Sequence, residues 1–368
     1  TYDNMDFVSG LYFFNEDGFT RSGPFVFSPF NTPNGLLNDG VTPSFGGYGD
    51  FEINQETNSY AVYFNTSYDL TDDLSIGGGL RYSKDEKDAD AIFPTFAERK
   101  YVSAEFDAVT WDINASYQIS NNMNVYGQIQ KGYQTGGFPP RPFGGPDQFV
   151  SFDETKAVNY EMGLKGQVHE NVSMMLAVFV TDYTDLALPF SDPTAGGGFV
   201  TIVENAGQSK AQGIELETTV AITDDFTIRS AVGYLDSEIT EVDAGVQGIG
   251  KGDSPALTPR WTVMVAPSYF MDLDSGATVA LNANYSYRSE MQGQSVYSQS
   301  ETIDSRELVG FNISYTNAYG DMEVTLYGEN VLNEVYDVGR LQQSGFVGVM
   351  RSNDRSEFGL KFKKDFEL

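Results

Sequence analysis

The sequence predicts an all-β protein, an antiparallel transmembrane β-barrel to which this chain supplies about fourteen strands. Three observations carry that expectation. The first is alternation. Within Asn171–Tyr183 the even positions are Val172, Met174, Leu176, Val178 and Val180, and the odd ones Ser173, Met175, Ala177, Phe179 and Thr181. Successive side chains on a strand point to opposite faces, so this segment divides an aliphatic medium from a less apolar one. It also exceeds the ~9–11 residues a tilted strand needs to cross hydrocarbon. The second is the ordering of the connections, short and long by turns. The third is composition: 14% of residues are aromatic, with 22 Tyr and 27 Phe, which suits strands and the aromatic girdles of a membrane barrel.

Each strand can be justified in order. The first is expected from about Asp3 to Glu16, followed by a Gly-, Pro- and Asn-rich loop, Asp17 to Gln55, too polar and irregular for core. The second, about Glu56 to Leu70, sets Tyr60, Val62, Phe64, Thr66 and Tyr68 on one face. The turn Thr71-Asp72-Asp73, whose acidic side chains can bond their own backbone, leads into the third. There Leu74, Ile76, Gly78, Leu80 and Tyr82 oppose Ser75, Gly77, Gly79, Arg81 and Ser83. The fourth alternates most cleanly, with Trp111, Ile113, Ala115, Tyr117 and Ile119 against Asp112, Asn114, Ser116 and Gln118. After the turn Ser120–Asn122 come a fifth strand, Met123 to Gln134, and a long loop through Phe152. The sixth opposes Val158, Tyr160, Met162 and Leu164 to Asn159, Glu161 and Lys165, and the seventh is the segment already described.

Loop residues near Pro189 to Gly198 precede an eighth strand, Ile214, Leu216, Val220 and Ile222 against Glu215, Glu217 and Thr219. A second Thr-Asp-Asp turn, Thr223 to Asp225, opens the ninth (Phe226, Ile228, Val232, Tyr234), and a loop from Glu241 to Thr258 closes it. The tenth holds Trp261, Val263, Val265 and Tyr269; the eleventh holds Val279, Leu281, Ala283 and Tyr285. A loop at about Met291 to Glu301 leads to the twelfth (Val309, Phe311, Ile313, Tyr315). The thirteenth opposes Met322, Val324 and Leu326 to Glu323, Thr325, Tyr327 and Glu329. A loop Asp337 to Ser352 precedes the last, with Phe358, Leu360, Phe362, Phe366 and Leu368 in register.

Short turns thus follow the even-numbered strands and long loops the odd-numbered ones. A membrane barrel sorts its connections this way, with tight turns at one rim and large loops at the other. The sheet must also close, because an open edge in lipid leaves backbone groups unpaired at several kcal/mol each. The second face, with Asp112, Asn114, Glu215, Glu217, Glu323 and Glu329, would then line a wet or plugged interior.

Composition narrows the function. No run approaches the ~18 apolar residues of a membrane helix, and the mean hydropathy of -0.31 is compatible with strands that hide half their residues. Lys+Arg 22 against Asp+Glu 52 gives a net charge of -30, which argues against nucleic acid, since phosphate binding needs a basic footprint. The acidity suits solvated loops, or divalent cations bridging to anionic surface lipid. With no Cys and a single His, His169 in a turn, thiolate metal sites and a Ser-His-Asp triad are out of reach. GVQGIGKG, Gly245 to Gly252, misses the phosphate-binding loop at its last position, Gly252, where Ser or Thr would hold Mg²⁺. No catalytic constellation is visible, so neither an enzyme nor a cofactor is expected. The chain begins at Thr1 without initiator Met or signal peptide, as a processed start or an internal boundary would.

Five segments together resemble the TonB-dependent outer-membrane receptors. VYGQIQKGYQTGGF, Val125 to Phe138, looks like their "Y…GY+SGGF" stretch, and Phe152-Asp153-Glu154 through Tyr160–Lys165 like "PE…YELGLK". AVFVTDYTDL, Ala177 to Leu186, is similar to "A.F..DY.D.", and ENAGQSKAQGIELE, Glu204 to Glu217, to "NAG.A...GVELE". YGENVLNEVY, Tyr327 to Tyr336, resembles the late "..N..D..Y" signature, with Asn333 where Asp is usual. The resemblance implies the C-terminal part, residues 1–368 as one domain, of a barrel of about twenty-two strands, with the plug and the first strands lying outside this chain. It further implies a Gram-negative outer-membrane location, amid outer-membrane lipid and lipopolysaccharide. The expected activity is uptake of a scarce bulky nutrient, a ferric siderophore above all, energised through TonB. Rim candidates for ligand contact are Tyr133, Gln134, Phe138 and Arg141, with Arg288 and Arg340 as cations that could attract an anionic chelate or serve in structural ion pairs. A complete fourteen-stranded passive or hydrophobic-solute channel and a soluble carbohydrate-binding β-protein remain alternatives to this reading.

Overall fold

The computed structural model describes residues 4–22, 25–27, 45–48, 51–142, 145–191, 201–244, 246, 248–293, 302–343, 346–352 and 354–366. Fourteen strands form one antiparallel sheet in chain order. They are β1 (Met5–Ser22), β2 (Phe51–Asp69), β3 (Leu74–Phe93), β4 (Glu98–Ser120), β5 (Met123–Gln134), β6 (Thr155–His169) and β7 (Val172–Ser191). The rest are β8 (Thr201–Ala221), β9 (Phe226–Val242), β10 (Trp261–Asp272), β11 (Thr278–Arg288), β12 (Arg306–Thr316), β13 (Met322–Glu329) and β14 (Glu357–Lys364). Each expected strand is present at its place. Among the described residues no helix is long and apolar enough to cross a membrane.

The sheet's register separates the two media. Leu74, Tyr117, Val125, Leu164, Leu176, Leu216, Val232, Val263 and Tyr287 stand directly opposite one another from β3 to β11, an apolar row on the outer face. Ile113 and Leu360, 62% and 69% exposed on that face, belong to the same belt rather than to a sealed core. One residue further along each strand lies the inner row: Ser75, Ser116, Tyr126, Gly163, Ala177, Glu215, Gly233, Thr262 and Arg288. Both rows climb. They start at the beginning of β3 and finish at the end of β11, which is the stagger of strands inclined to a barrel axis.

Glycine makes room for aromatic rings on the inner face. Tyr126 stands opposite Gly163, where a Cβ would lie 2.7 Å from the Tyr126 ring and 2.6 Å from the Leu176 carbonyl oxygen. Tyr327 lies over Gly359 in the same manner. The ring covers the bare backbone of its partner strand and pins the register.

The structure differs from expectation chiefly in strand length. Strands β2, β3 and β4 contain 19, 20 and 23 residues, about twice a membrane crossing. The third and fourth strands are joined by one 3-10 turn, Pro94–Phe96, instead of a long loop. Alternation persists through this region, but the outer face changes from Leu80 and Tyr82 to Lys84, Glu86, Asp88 and Asp90, because it has left the lipid for water. The expected loop Asp17–Gln55 is likewise strand at both ends, and Phe51 and Ile53 are core residues rather than irregular surface. The connection Asp337–Ser352 contains the hairpin Asp337–Gln343 with Phe346–Arg351. Further small hairpins pair Phe25–Phe27 with Phe45–Tyr48 and Met291–Gln292 with Thr302–Ile303. β14 ends at Lys364, so Phe366 falls outside the strand, while Leu368 and most of the expected loops at 189–198 and 291–301 lie outside the described residues.

The sheet does not close on itself. β1 pairs only with β2 and β14 only with β13, so among the described residues each presents a free edge. A self-contained fourteen-stranded cylinder is therefore not what these strands form.

Candidate functional site

The inner face is polar along the strands and becomes structured at the rim where the long connections emerge. In mid-wall the Glu161 carboxylate accepts from the Tyr126 hydroxyl at 2.9 Å and from the Gln128 amide at 3.0 Å. Asn282 bridges Ser268 and Asn312, at 2.5 and 2.9 Å. Arg81 lies 5.0 Å from the Tyr12 ring centre and 6.0 Å from that of Tyr63, a cation held by aromatic faces. Neighbouring strands supply these partners by register alone, so the wall is wet yet nearly self-satisfied.

At the loop rim two clusters stand out. One lies on the long strands β2 to β4, where the β5–β6 connection folds back onto the sheet. Phe138 and Phe149 pack with Phe51, Ile53, Ala89, Ala91 and Phe93 into a small core. Lys87 donates to the Gly136 carbonyl at 2.6 Å and Lys100 to that of Pro146 at 2.8 Å, tying the connection down at two points. Asp85, buried on the inner face, accepts from the Tyr133 hydroxyl at 2.9 Å and from Ser59 at 2.5 Å.

The second cluster gathers four arginines where β11 and β12 meet the 337–351 hairpin. Arg340 binds Asp337 at 2.7 Å and reaches Asp304 at 3.6 Å, and Arg351 binds the other oxygen of Asp337 at 2.9 Å. Burial opposes the charge of Asp337, but the hydrogen bonds from Arg351 and Arg340 outweigh it and hold its carboxyl below the usual carboxylate range. Arg288 donates to the Asp304 backbone carbonyl at 3.0 Å. Arg306 lies over the Tyr336 ring at 4.6 Å, and the Tyr336 hydroxyl donates to Asp354 at 3.1 Å.

The six residues singled out from sequence therefore divide. Arg288 and Arg340 come together through Asp304. Tyr133 is anchored on Asp85, and Phe138 is 7% exposed, a packing residue of the loop core rather than an open rim contact. A loop aromatic gives no sign in the sequence of whether it faces solvent or packs beneath. Gln134 and Arg141 are exposed beside that core. Sequence reasoning missed Arg306, Arg351, Tyr336 and the carboxylates Asp304 and Asp337. For Arg306 a signal existed: the alternation of β11 and β12 puts both Arg288 and Arg306 on the polar face. Among the described residues no three acidic or His side chains are grouped to hold a metal ion.

The comparisons agree with this architecture. A family model described as "TonB dependent receptor-like, beta-barrel" matches residues 2–333. The pesticin receptor of Yersinia pestis is 26% identical over 263 residues, covering 64% of this chain and 38% of the relative. A probable TonB-dependent siderophore receptor PiuA of Acinetobacter baumannii is 26% identical over 201 residues, covering 52% and 25%. Among solved structures, the ferric yersiniabactin uptake receptor FyuA from Yersinia pestis superposes with a TM-score of 0.80 at 18% identity, covering 100% of this chain and 52% of that one. The siderophore receptor PiuA from Acinetobacter baumannii gives 0.75 at 17% identity, covering 99% and 54%. This chain thus spans about half the length of those structures and less of the curated relatives.

Proposed function

This chain belongs to the TonB-dependent receptor-like β-barrel family of Gram-negative outer-membrane proteins, and from that premise we propose that it is the C-terminal barrel wall of a ferric-siderophore uptake receptor energised through TonB. The observation that carries the reading is the sheet itself: apolar on its outer rows, polar within, elaborated at one rim and, among the described residues, open at both edges. Open edges require further strands to complete the cylinder, since unpaired backbone is costly in lipid. The iron-chelate cargo is inferred from the similar proteins, FyuA being a ferric yersiniabactin uptake receptor and PiuA a siderophore receptor. Outer-membrane lipid and lipopolysaccharide would contact the outer belt, and the rim clusters would meet the cargo. The wall needs no covalent chemistry. Its work is to hold a rigid wet passage while binding energy at the rim captures a dilute solute, and TonB supplies the work of release.

Deletion of the gene, followed by growth under iron starvation with single ferric siderophores supplied, tests the reading. Loss of growth on at least one chelate, restored by the intact gene, is expected. Unchanged growth and unchanged radio-iron accumulation on all chelates that feed the parent strain would defeat it. A passive channel would instead remain active after removal of TonB.

A further inference from the structure

Arg288 and Arg306 are direct cross-strand partners on the inner face. Residues so placed have their Cβ atoms about 5 Å apart, and like charges there are destabilising. A pair of this kind is normally relieved by a carboxylate, yet among the described residues neither guanidinium has one within ion-pair distance. The nearby carboxylates are committed elsewhere: Asp337 to Arg340 and Arg351, and Asp304 to Arg340. Arg288 turns one nitrogen to the Asp304 backbone carbonyl, while its other terminal nitrogen is buried without a hydrogen-bond partner. The Tyr336 ring holds Arg306 from one side. All this occurs in a chain with 22 basic and 52 acidic residues, where two adjacent uncompensated cations run against the general charge.

Resting on the uptake reading, we propose that Arg288 and Arg306 form a recognition site for a carboxylate carried by the imported chelate. Two guanidiniums side by side match the two oxygens of a planar oxyanion, and charge-assisted bonds of that kind are among the stronger ones available. The alternation of β11 and β12 puts the pair on the face shared by Asn282, Asn284 and Asn312, away from the lipid side that carries Tyr287 and Val309. The site therefore addresses a solute inside the barrel mouth rather than a lipid headgroup.

The test uses the full-length receptor in cells lacking other ferric-chelate uptake systems. Radio-iron accumulation is measured from ferric citrate and ferric rhizoferrin, which carry carboxylates, and from ferrichrome and ferrioxamine B, which carry none. The expected result is uptake of a carboxylate chelate, with Arg288→Gln and Arg306→Gln each raising its half-saturating concentration about tenfold or more. Arg306→Lys, which keeps the charge but loses the planar fork, should lose less affinity than Arg306→Gln, and higher salt should weaken the wild type more than the Gln variants. Uptake of hydroxamate chelates alone, or wild-type uptake of carboxylate chelates by both Gln variants, would overturn the inference while leaving the uptake reading intact. Equal loss in Arg306→Lys would also overturn it, by assigning the pair a structural role. Accumulation from none of the four chelates would overturn the inference, while the uptake reading is decided separately by the growth test on every chelate that feeds the parent strain.

Discussion

Asp337 is 8% exposed and joined to two arginines, one of them on the far side of its own hairpin. Its folded pKa lies below the unfolded value of about 3.9, so its contribution to stability is complete above that value and is lost as pH falls through the folded one. Protection of the amides in the two hairpin strands, measured against the intrinsic exchange rate at each pH, should hold from neutrality down to about pH 4 and fall only below it. Loss of protection near pH 6 would contradict the assignment. Asp337→Asn should weaken the hairpin by about 1–2 kcal/mol, a discounted figure because Arg351 is largely exposed, and should abolish the acid transition. At this scale the sequence was a partial guide. Arg288 and Arg340 could be named as cations near loops, but their common partner Asp304 lies on the β11–β12 connection, and only the folded chain brings Arg340 to it from a separate hairpin.

At the scale of the element, register is written in glycines and rings. Gly163 in β6 has no side chain because the Tyr126 ring of β5 occupies the space, with the Leu176 backbone closing it from β7. Gly163→Val should cost about 1–3 kcal/mol through overpacking and reduce the fraction of receptor that runs as a folded, heat-modifiable band on gels. A variant as resistant as wild type would show the contact to be slack. Strand identity was legible because alternation between an apolar and a polar face is imposed by the two media. Strand length was not. Above the lipid the outer face of β3 and β4 is charged and the inner face carries Ala89, Ala91 and Phe93, so the polarity contrast that marks a membrane strand inverts while the hydrogen-bonded ladder continues.

The whole molecule depends on its outward belt. Ile113 lies in that belt near the middle of β4, and Ile113→Lys should oppose insertion by about 2–4 kcal/mol if it sits near the bilayer midplane. Folding into lipid vesicles against a urea gradient reads this directly, and an unperturbed midpoint would count against the outward assignment. The same substitution at the inner-face neighbour Asn114 should oppose insertion far less, since that side is polar and only the bond to Asp112 and the packing over Gly77 are lost. Fold and location were thus readable from a linear pattern, because lipid acts on every second residue. The rim was not, because no comparable periodic force acts on loops.

β4 runs 23 residues, about twelve more than a crossing requires; at ~3.3 Å per residue and a ~45° tilt, its hairpin with β3 rises roughly 30 Å beyond the hydrocarbon. That height sets the tip at Pro94–Ala97 well clear of the hydrocarbon. An antibody raised against this tip should therefore label intact bacteria, and failure to label them would count against so tall a hairpin.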